Sequence, residues 1–446
     1  MMTIETRLTK EMIDQYTSEG AWGTLTVGDY LDLAVEKYPN KVATTDSQGG
    51  RLTYHALAKV VNRLAKGFLS LGLKKGQIVS VQLPNSIEFS CIYFALAKIG
   101  VVINPVLPTF RHSEVEYVLG FSGSAMMIIP REFRKFNYAD MIKELWPNLP
   151  SLDNVMVLGD SIPDGMISYK QFKGEPWETK YGEDIQQHRP DSNDILVLMY
   201  TSGTEAEPKG VLHTHNTIIF TERSFAKALR IGSNDTIMMP SPVTHATGFM
   251  HGITLPLITE GRSVLLEIFE AEEALKLIEK ERCTYSMGAT PFIRRILDCP
   301  NFSKYDIRYL RFFLCGGTPI PRELVSETSS AGIKLLSVYG LTESAPHTVT
   351  SFDDPVEKIS ETDGKACPGI EVKIVDENKK EVPRGTVGEE VSRGPNVFVG
   401  YFKKPDLTAK CFDDEGWFYS GDNCKMDSDG YIRVVGRKKD IIIRGG

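Results

Sequence analysis

Between Tyr200 and Gly210 the chain reads Tyr-Thr-Ser-Gly-Thr-Glu-Ala-Glu-Pro-Lys-Gly, which gathers the hydroxyls of Thr201, Ser202 and Thr204, the glycines Gly203 and Gly210, and Lys209 into one loop. Glycine lets backbone N–H groups approach a ligand closely, hydroxyls donate hydrogen bonds and lysine supplies a point charge, so this set can wrap a polyphosphate. It lacks the GxxxxGK[ST] order of a Walker A loop. Taken alone, it reads equally well as a Ser/Thr/Gly surface turn beside a solvated lysine.

Three further segments follow: Tyr339-Gly340-Leu341-Thr342-Glu343-Ser344, Tyr419-Ser420-Gly421-Asp422 and Gly436-Arg437-Lys438-Lys439-Asp440. In order and approximate spacing, the four segments resemble those of the adenylate-forming superfamily, which comprises acyl-CoA synthetases, peptide-synthetase adenylation domains and firefly luciferase. The resemblance covers essentially the whole chain. Through Thr244–Phe249, Phe313–Thr318 and Ser392–Phe398 the chain is most similar to the short- to medium-chain fatty acyl-CoA synthetases. That implies a ligase using ATP, Mg²⁺ and coenzyme A: a carboxylic acid becomes its acyl-AMP with release of pyrophosphate, and the thiol of coenzyme A then takes the acyl group.

A carboxylate attacking the α-phosphorus of ATP brings anion to anion, so charge neutralisation must carry most of the catalysis. The resemblance implies that Thr201, Ser202, Gly203, Thr204 and Lys209 hold the β- and γ-phosphates, that Thr342 hydrogen-bonds the α-phosphate and that Glu343 ligates Mg²⁺. Outside this company, Thr342-Glu343 would read as a helix cap. Gly316, Gly317, Thr318, Tyr339 and Gly340 resemble the adenine slot, although a tyrosine ending a strand is equally a core residue. Asp422 is implied to accept from both ribose hydroxyls, with Arg437 adding a fork of donors. Without the motif, both would read as solvated surface.

His245 lies in a Pro-x-x-His-x-x-Gly segment and is implied to orient the acid or gate the entrance of the pantetheine thiol, not to act as a general base. Lys209, His245, Thr342 and Glu343 form the implied catalytic set. The acyl pocket is expected along His245, Ala246, Gly248, Gly288, Ala289, Gly340 and Ser344, with Phe220 and Phe249 as walls. His213 and His215 share an HxH spacing without a third ligand and read as local structure.

Two departures stand out. Many relatives carry Thr-Thr-Gly where this chain has Thr204-Glu205-Ala206, and the carboxylates of Glu205 and Glu207 are expected to point away from the phosphates. Relatives also continue past a hinge, matched here by Lys439, into a C-terminal domain of about one hundred residues that completes the adenylation and thiol sites. The chain stops at Gly446. Residues 1–437 are thus expected to form the N-terminal adenylation domain and 438–446 a hinge and stub, holding ATP and acid with impaired turnover. The competing readings are an aryl- or cyclohexanecarboxylate-CoA ligase and a nucleotide-binding module without turnover.

Periodicity describes the elements that must hold these residues. From Tyr54, the apolar positions Leu57, Val61, Leu64, Phe68 and Leu71 recur at helical spacing and Gly72 stands at the C-cap. Apolar runs at 78–83, 101–103 and 126–129 alternate with helical stretches at 87–99 and 114–121. After a polar connector over about 159–193 the rhythm returns, with strands predicted at 195–200, 236–239, 263–266, 284–287, 311–314 and 334–338. Continuous apolar strands alternating with helices argue for α/β architecture, two layers with mostly parallel sheets. From about 351 to 437, short runs between Gly, Pro and Asp turns indicate a small β-rich, barrel-like subdomain.

Composition excludes other classes. With 51 Lys and Arg against 58 Asp and Glu, the net charge is -7 and no basic stripe offers a nucleic-acid surface. Seven isolated cysteines without a CxxC pair suit a reducing, cytoplasmic setting. The N-terminus lacks the apolar core of a signal peptide, and the apolar stretch from Cys91 to Leu107 is broken by Lys98, Asn104 and Pro105, short of the roughly 20 residues a membrane helix needs. Weak peripheral association remains compatible with a fatty substrate.

Overall fold

Thr53, Ser86 and Thr214 each accept a hydrogen bond from the backbone N–H three residues on and so start the helices Tyr54–Ser70, Ile87–Lys98 and His215–Leu229. In the first of these, Leu57, Val61, Leu64 and Phe68 are buried, and Gly72 follows at φ +83° as its left-handed stop. The second is buried on every side, and the ammonium of Lys98 is satisfied by Asp32 at 2.5 and 2.7 Å. The computed structural model describes residues 4–201 and 208–438.

Two large sheets flank these helices. The eight-stranded sheet runs, edge to edge, Gly400–Tyr401, Lys209–Thr214, Ile195–Thr201, Val102–Pro105, Ile78–Val81, Met126–Pro130, Asn154–Leu158 and Ile167–Ser168. The nine-stranded sheet runs Lys365–Ala366, Thr348–Val349, Lys334–Tyr339, Phe312–Gly316, Tyr285–Gly288, Thr236–Met239, Arg262–Leu265, Val42–Asp46 and Arg51–Thr53. Central pairings are parallel in both, and antiparallel strands finish every edge but that of Ile167–Ser168, which pairs in parallel. This is the expected mostly parallel α/β architecture.

Strand alternation puts one core on each face of the eight-stranded sheet. Met126 and Ile128 join the large core shared with the three helices and the nine-stranded sheet, whereas Met127 and Ile129 pack with Leu119, Tyr138 and Ile142 in a second cluster. The two sheets do not follow the two blocks of sequence. Ile195–Thr201, the first strand after the connector, pairs in parallel with Val102–Pro105 of the earlier block, and the N-terminal hairpin joins the later one.

The stretch 159–193 is also more than a polar connector. It holds the strand Ile167–Ser168 and the helix Tyr169–Gly174, and Phe172 packs between Phe68 and Trp177 with ring centroids 5.5 and 5.2 Å away. The β-rich part takes the form of a four-stranded antiparallel sheet, Glu371–Val375, Val387–Arg393, Phe418–Met426 and Ile432–Arg437. Among the described residues no helix is long and apolar enough to cross a membrane.

Candidate active site

Thr201, Ser241, Gly288, Gly316 and Gly340 stand at or just beyond the carboxyl ends of parallel strands from both sheets, and all five line one cleft of about 1190 Å³. Open α/β sheets place their ligand crevices at such ends. Two close approaches require glycine, one in the cleft wall and one just behind it. A Cβ on Gly340 would come within 2.6 Å of Pro346 Cα, and one on Gly248 within 2.2 Å of the Pro242 carbonyl oxygen.

Of the residues singled out in the sequence, Thr201, Lys209, His245, Ala246, Gly288, Ala289, Gly316, Gly317, Gly340, Thr342, Glu343 and Arg437 line this cleft together. Ser202, Gly203, Thr204, Glu205, Glu207 and Lys439 lie outside the described residues. Lys209 is placed by an antiparallel turn back from the strand before it, Thr201 facing Lys209 across the pair. Its ammonium stands 5.5 Å from the centre of the Tyr401 ring, and the Tyr401 hydroxyl donates to Glu343 Oε1 at 2.8 Å. Burial, and then the neighbouring Glu343 carboxylate, push the Tyr401 phenol far above its ordinary pKa, so it remains a donor. Tyr401 belongs to the edge strand Gly400–Tyr401, held by Val211 and Leu212.

The Thr342-Glu343 turn is fixed from two sides. Phe398 N donates to the Glu343 carbonyl at 2.8 Å, and His213 Nε2 lies 2.8 Å from the Thr342 carbonyl oxygen. A carbonyl only accepts, so the proton of His213 sits on Nε2 and Nδ1 accepts from the Thr217 hydroxyl, 3.1 Å away. Burial lowers the His213 pKa to about 4, consistent with this neutral tautomer. His213 is thus local structure, as its sequence suggests, but the structure it maintains is the floor of the site. His215 accepts from Val27 N at 3.2 Å.

Tyr339 and Asp422 stand behind the cleft wall. The Tyr339 hydroxyl donates to Asp422 Oδ2 at 2.8 Å, and Arg437, opposite Asp422 in the antiparallel register, brings Nε to 3.3 Å from Oδ1. Burial raises the Asp422 pKa, opposed by Tyr339 and Arg437. Beneath them lies a fully buried pair that sequence reading missed, His347 Nε2 at 3.2 Å from Glu390 Oε1, with His347 Nδ1 2.7 Å from the Ser344 carbonyl oxygen. Burial works against a charge on His347, but Glu390 and the Ser344 carbonyl outweigh it and its pKa is raised.

Five residues expected to line the site lie elsewhere. Ser344 is fully buried and bonded to Ser392 and Asn396 at 3.2 and 3.0 Å, so it ties the β-rich sheet to the site instead of facing substrate. Phe249 is buried against Tyr93, centroids 4.4 Å apart, and Phe220 borders a separate cavity with Gly369 and Arg223. Thr318 is exposed, its hydroxyl 3.1 Å from that of Thr290. Gly248 is wedged beneath Pro242, where it sets the path of the π-helical segment Thr247–Thr254. The walls that sequence did not identify are Phe110, Met287, Phe292, Val338 and Ala345.

His245 sits at the start of this π-helical segment, open to the cleft, with Nδ1 accepting from Thr247 N at 3.3 Å. The enclosing walls push its pKa down, which favours the neutral ring. Asn85 fixes the approach to it. Its Nδ2 lies 3.3, 2.9 and 3.0 Å from the carbonyl oxygens of Met239, Ser241 and Leu266, and its Oδ1 accepts from Val243 N at 2.8 Å.

Comparison with known proteins matches residues 31–402 to the model of the AMP-binding enzyme family. Over 97% of this chain and 75% of its own length, the medium-chain fatty-acid–CoA ligase of Escherichia coli (strain K12) is 43% identical. The mitochondrial medium-chain acyl-CoA ligase of Macaca fascicularis is 30% identical over 94% of this chain and 72% of its own length. Among solved structures, a fatty acyl CoA synthetase of Mycobacterium tuberculosis aligns with a TM-score of 0.83 at 26% identity, covering 94% of this chain and 80% of that one. ATP-bound MatB from Rhodopseudomonas palustris aligns at 0.81 and 26%, with the same coverage.

Proposed function

The chain belongs to the AMP-binding enzyme family and is an AMP-forming acid–thiol ligase, and from that premise we propose that the acid it activates is a short- to medium-chain fatty acid. One observation carries the reading. A single cleft is lined both by cationic and hydrogen-bonding groups, Lys209, Thr342 and Arg437, and by apolar side chains, Met287, Phe292, Val338 and Ala345. An alkyl chain suits the second set, against which each buried methylene contributes about 0.8 kcal/mol. The name of the Escherichia coli relative points the same way.

The roles follow from position. Lys209 and Thr201 neutralise and bond the departing phosphates, and Thr342 donates to the α-phosphate as the acid attacks. The motif assigns the ribose hydroxyls to Asp422, whose neighbours Ser420 and Gly421 line the cleft, and Gly316, Gly317 and Gly340 leave flat backbone for adenine. Ala246, Gly288 and Gly340 make room for the acyl group beside His245, which guides the acid and then the thiol of coenzyme A. A neutral His245 does not compete with Lys209 for the carboxylate. Among the described residues Glu343 Oε1 is held by Tyr401 and Oε2 has no hydrogen-bond partner, and one carboxylate together with substrate phosphates is a common arrangement for Mg²⁺. Bound there, the ion would supply further charge neutralisation. The partners are these small molecules, and the free thiols of all seven cysteines support a reducing, cytoplasmic location.

The test is acid-dependent ATP–pyrophosphate exchange with butyrate, octanoate, laurate and benzoate. Octanoate is expected to give the highest kcat/KM. Preference for benzoate would replace the fatty acid with an aryl acid, and the absence of exchange with every acid, both in this chain and in a version extended past Gly446, would leave a nucleotide-binding module.

A further inference from the structure

The apolar wall of the cleft does not stay apolar to its end. Along the π-helical segment exposure falls from His245, which is open, through half-buried Ala246 and Thr247, to His251, which is only 2% exposed yet still lines the cavity. Gly248, Phe249 and Met250, which lie between, are buried, so the wall runs inward from His245 to His251. His251 therefore meets the far end of a bound acyl chain, not its carboxylate.

Behind His251 stands Glu222, fully buried on the helix His215–Leu229. Its Oε2 lies 3.0 Å from His251 Nδ1, and its Oε1 has no hydrogen-bond partner among the described residues. Phe225 packs on the imidazole with centroids 4.7 Å apart and limits its rotation. With Nδ1 committed to Glu222, Nε2 is the ring atom left for the cavity, and no protein group bonds to it among the described residues. A buried ring nitrogen and an under-satisfied carboxylate are a poor end-stop for a hydrocarbon. A terminal methyl group would exclude water from Nε2 and offer nothing in return.

Resting on the reading of this cleft as the acyl site, we infer that the preferred acid is a medium-length chain bearing a hydroxyl at or next to its far end, and that His251, held by Glu222, selects it. A hydroxyl both donates and accepts, so it satisfies Nε2 in either protonation state of the ring. A second carboxylate at that end would face Glu222 and is disfavoured.

The experiment compares matched pairs, octanoate with ω-hydroxyoctanoate and decanoate with ω-hydroxydecanoate, by thioester formation in the presence of ATP and coenzyme A. The readout is the ratio of kcat/KM for the hydroxy acid to that for the plain acid. This ratio is internal to each protein, so partial loss of folded material does not disturb it. In the unaltered chain one pair should show a ratio of at least about ten. His251→Leu should bring the ratio below one, and Glu222→Gln should reduce it. A ratio at or below one for both pairs in the unaltered chain, with the plain acids turned over, overturns the inference and leaves the fatty-acid reading standing, as does a ratio that neither variant changes. Failure of every acid, butyrate included, sinks the reading of the site and this inference with it. If His251→Leu does not accumulate, the unaltered chain and Glu222→Gln decide.

Discussion

Tyr401 joins two charges that the sequence motifs keep apart. Its ring lies under the Lys209 ammonium and its hydroxyl holds one oxygen of Glu343, so a single side chain spaces the phosphate lysine from the acidic residue. A hydrogen bond to a charged acceptor contributes about 1.5–3 kcal/mol. Tyr401→Phe keeps the ring and loses only this bond, so kcat/KM for ATP in pyrophosphate exchange should fall by about 10- to 100-fold. Tyr401→Leu, which also strips the ring from Lys209, should fall further. Equal activity of Tyr401→Phe and the unaltered chain would show that Glu343 needs no such support. Lys209, Thr342 and Glu343 were legible because their chemistry sits in short segments with fixed internal spacing. Tyr401 was not, since its partner is 58 residues away and the run Val397–Phe402 reads as nothing more than a buried strand. Separations of 29 and 43 residues hid the His251–Glu222 and His347–Glu390 pairs in the same way.

Among the elements, the segment carrying His245 has the least regular backbone support. It leaves the strand Thr236–Met239, turns at Pro242 and enters a π-helix, and Asn85 from the other layer bonds to the chain on both sides of that turn. Removing the amide strands buried carbonyls and one N–H, and leaving such groups unsatisfied costs about 1–3 kcal/mol each before relaxation. Asn85→Ala is therefore expected to lower the free energy of urea unfolding by about 3 kcal/mol and, because His245 loses its fixed approach, to raise KM for the acid more than KM for ATP. Parallel increases in both would place the effect on the whole fold. Strand positions were readable to within a residue or two from apolar runs. Sheet membership was not, because a run of Val, Ile and Leu records that both faces are buried but not which neighbour supplies the hydrogen bonds. Hence Ile195–Thr201 and the N-terminal hairpin each lie in the sheet opposite to the one their place in the sequence suggested. The aromatic pocket walls failed for a related reason: Phe249 and Phe220 were placed by nearness in sequence, and a helical turn of about 100° per residue sends neighbours to different faces.

For the molecule as a whole, the buried histidines link stability to pH. Burial depresses the folded-state pKa of His213 to about 4 and of His215 to about 3, whereas an unfolded chain protonates histidine near 6.5. Between those values the unfolded state binds the extra protons, so stability falls with acidification. The contribution is fully present above about pH 6.5 and is lost progressively as pH falls towards 3. Each proton gives a limiting slope of about 1.4 kcal/mol per pH unit. His347 acts in the opposite sense. Its folded pKa is raised, so its contribution is full below the unfolded value and is lost as pH rises through the folded one. In the acid window His347 is protonated in both states and adds no slope, so His213 and His215, whose shifts are the largest, set most of the slope from 6.5 to 5, with His245 adding in the same sense, above the titration of most carboxylates. Urea unfolding at a series of pH values should show stability dropping across that range with a slope approaching two protons. His215→Gln, which removes the acceptor that Val27 N has among the described residues but no group of the cleft, should reduce the slope by nearly one proton even though it lowers the plateau. A slope unchanged in that variant would mean that His215 is already charged in the folded protein. Its ring would then have to donate where the structure has it accept from Val27.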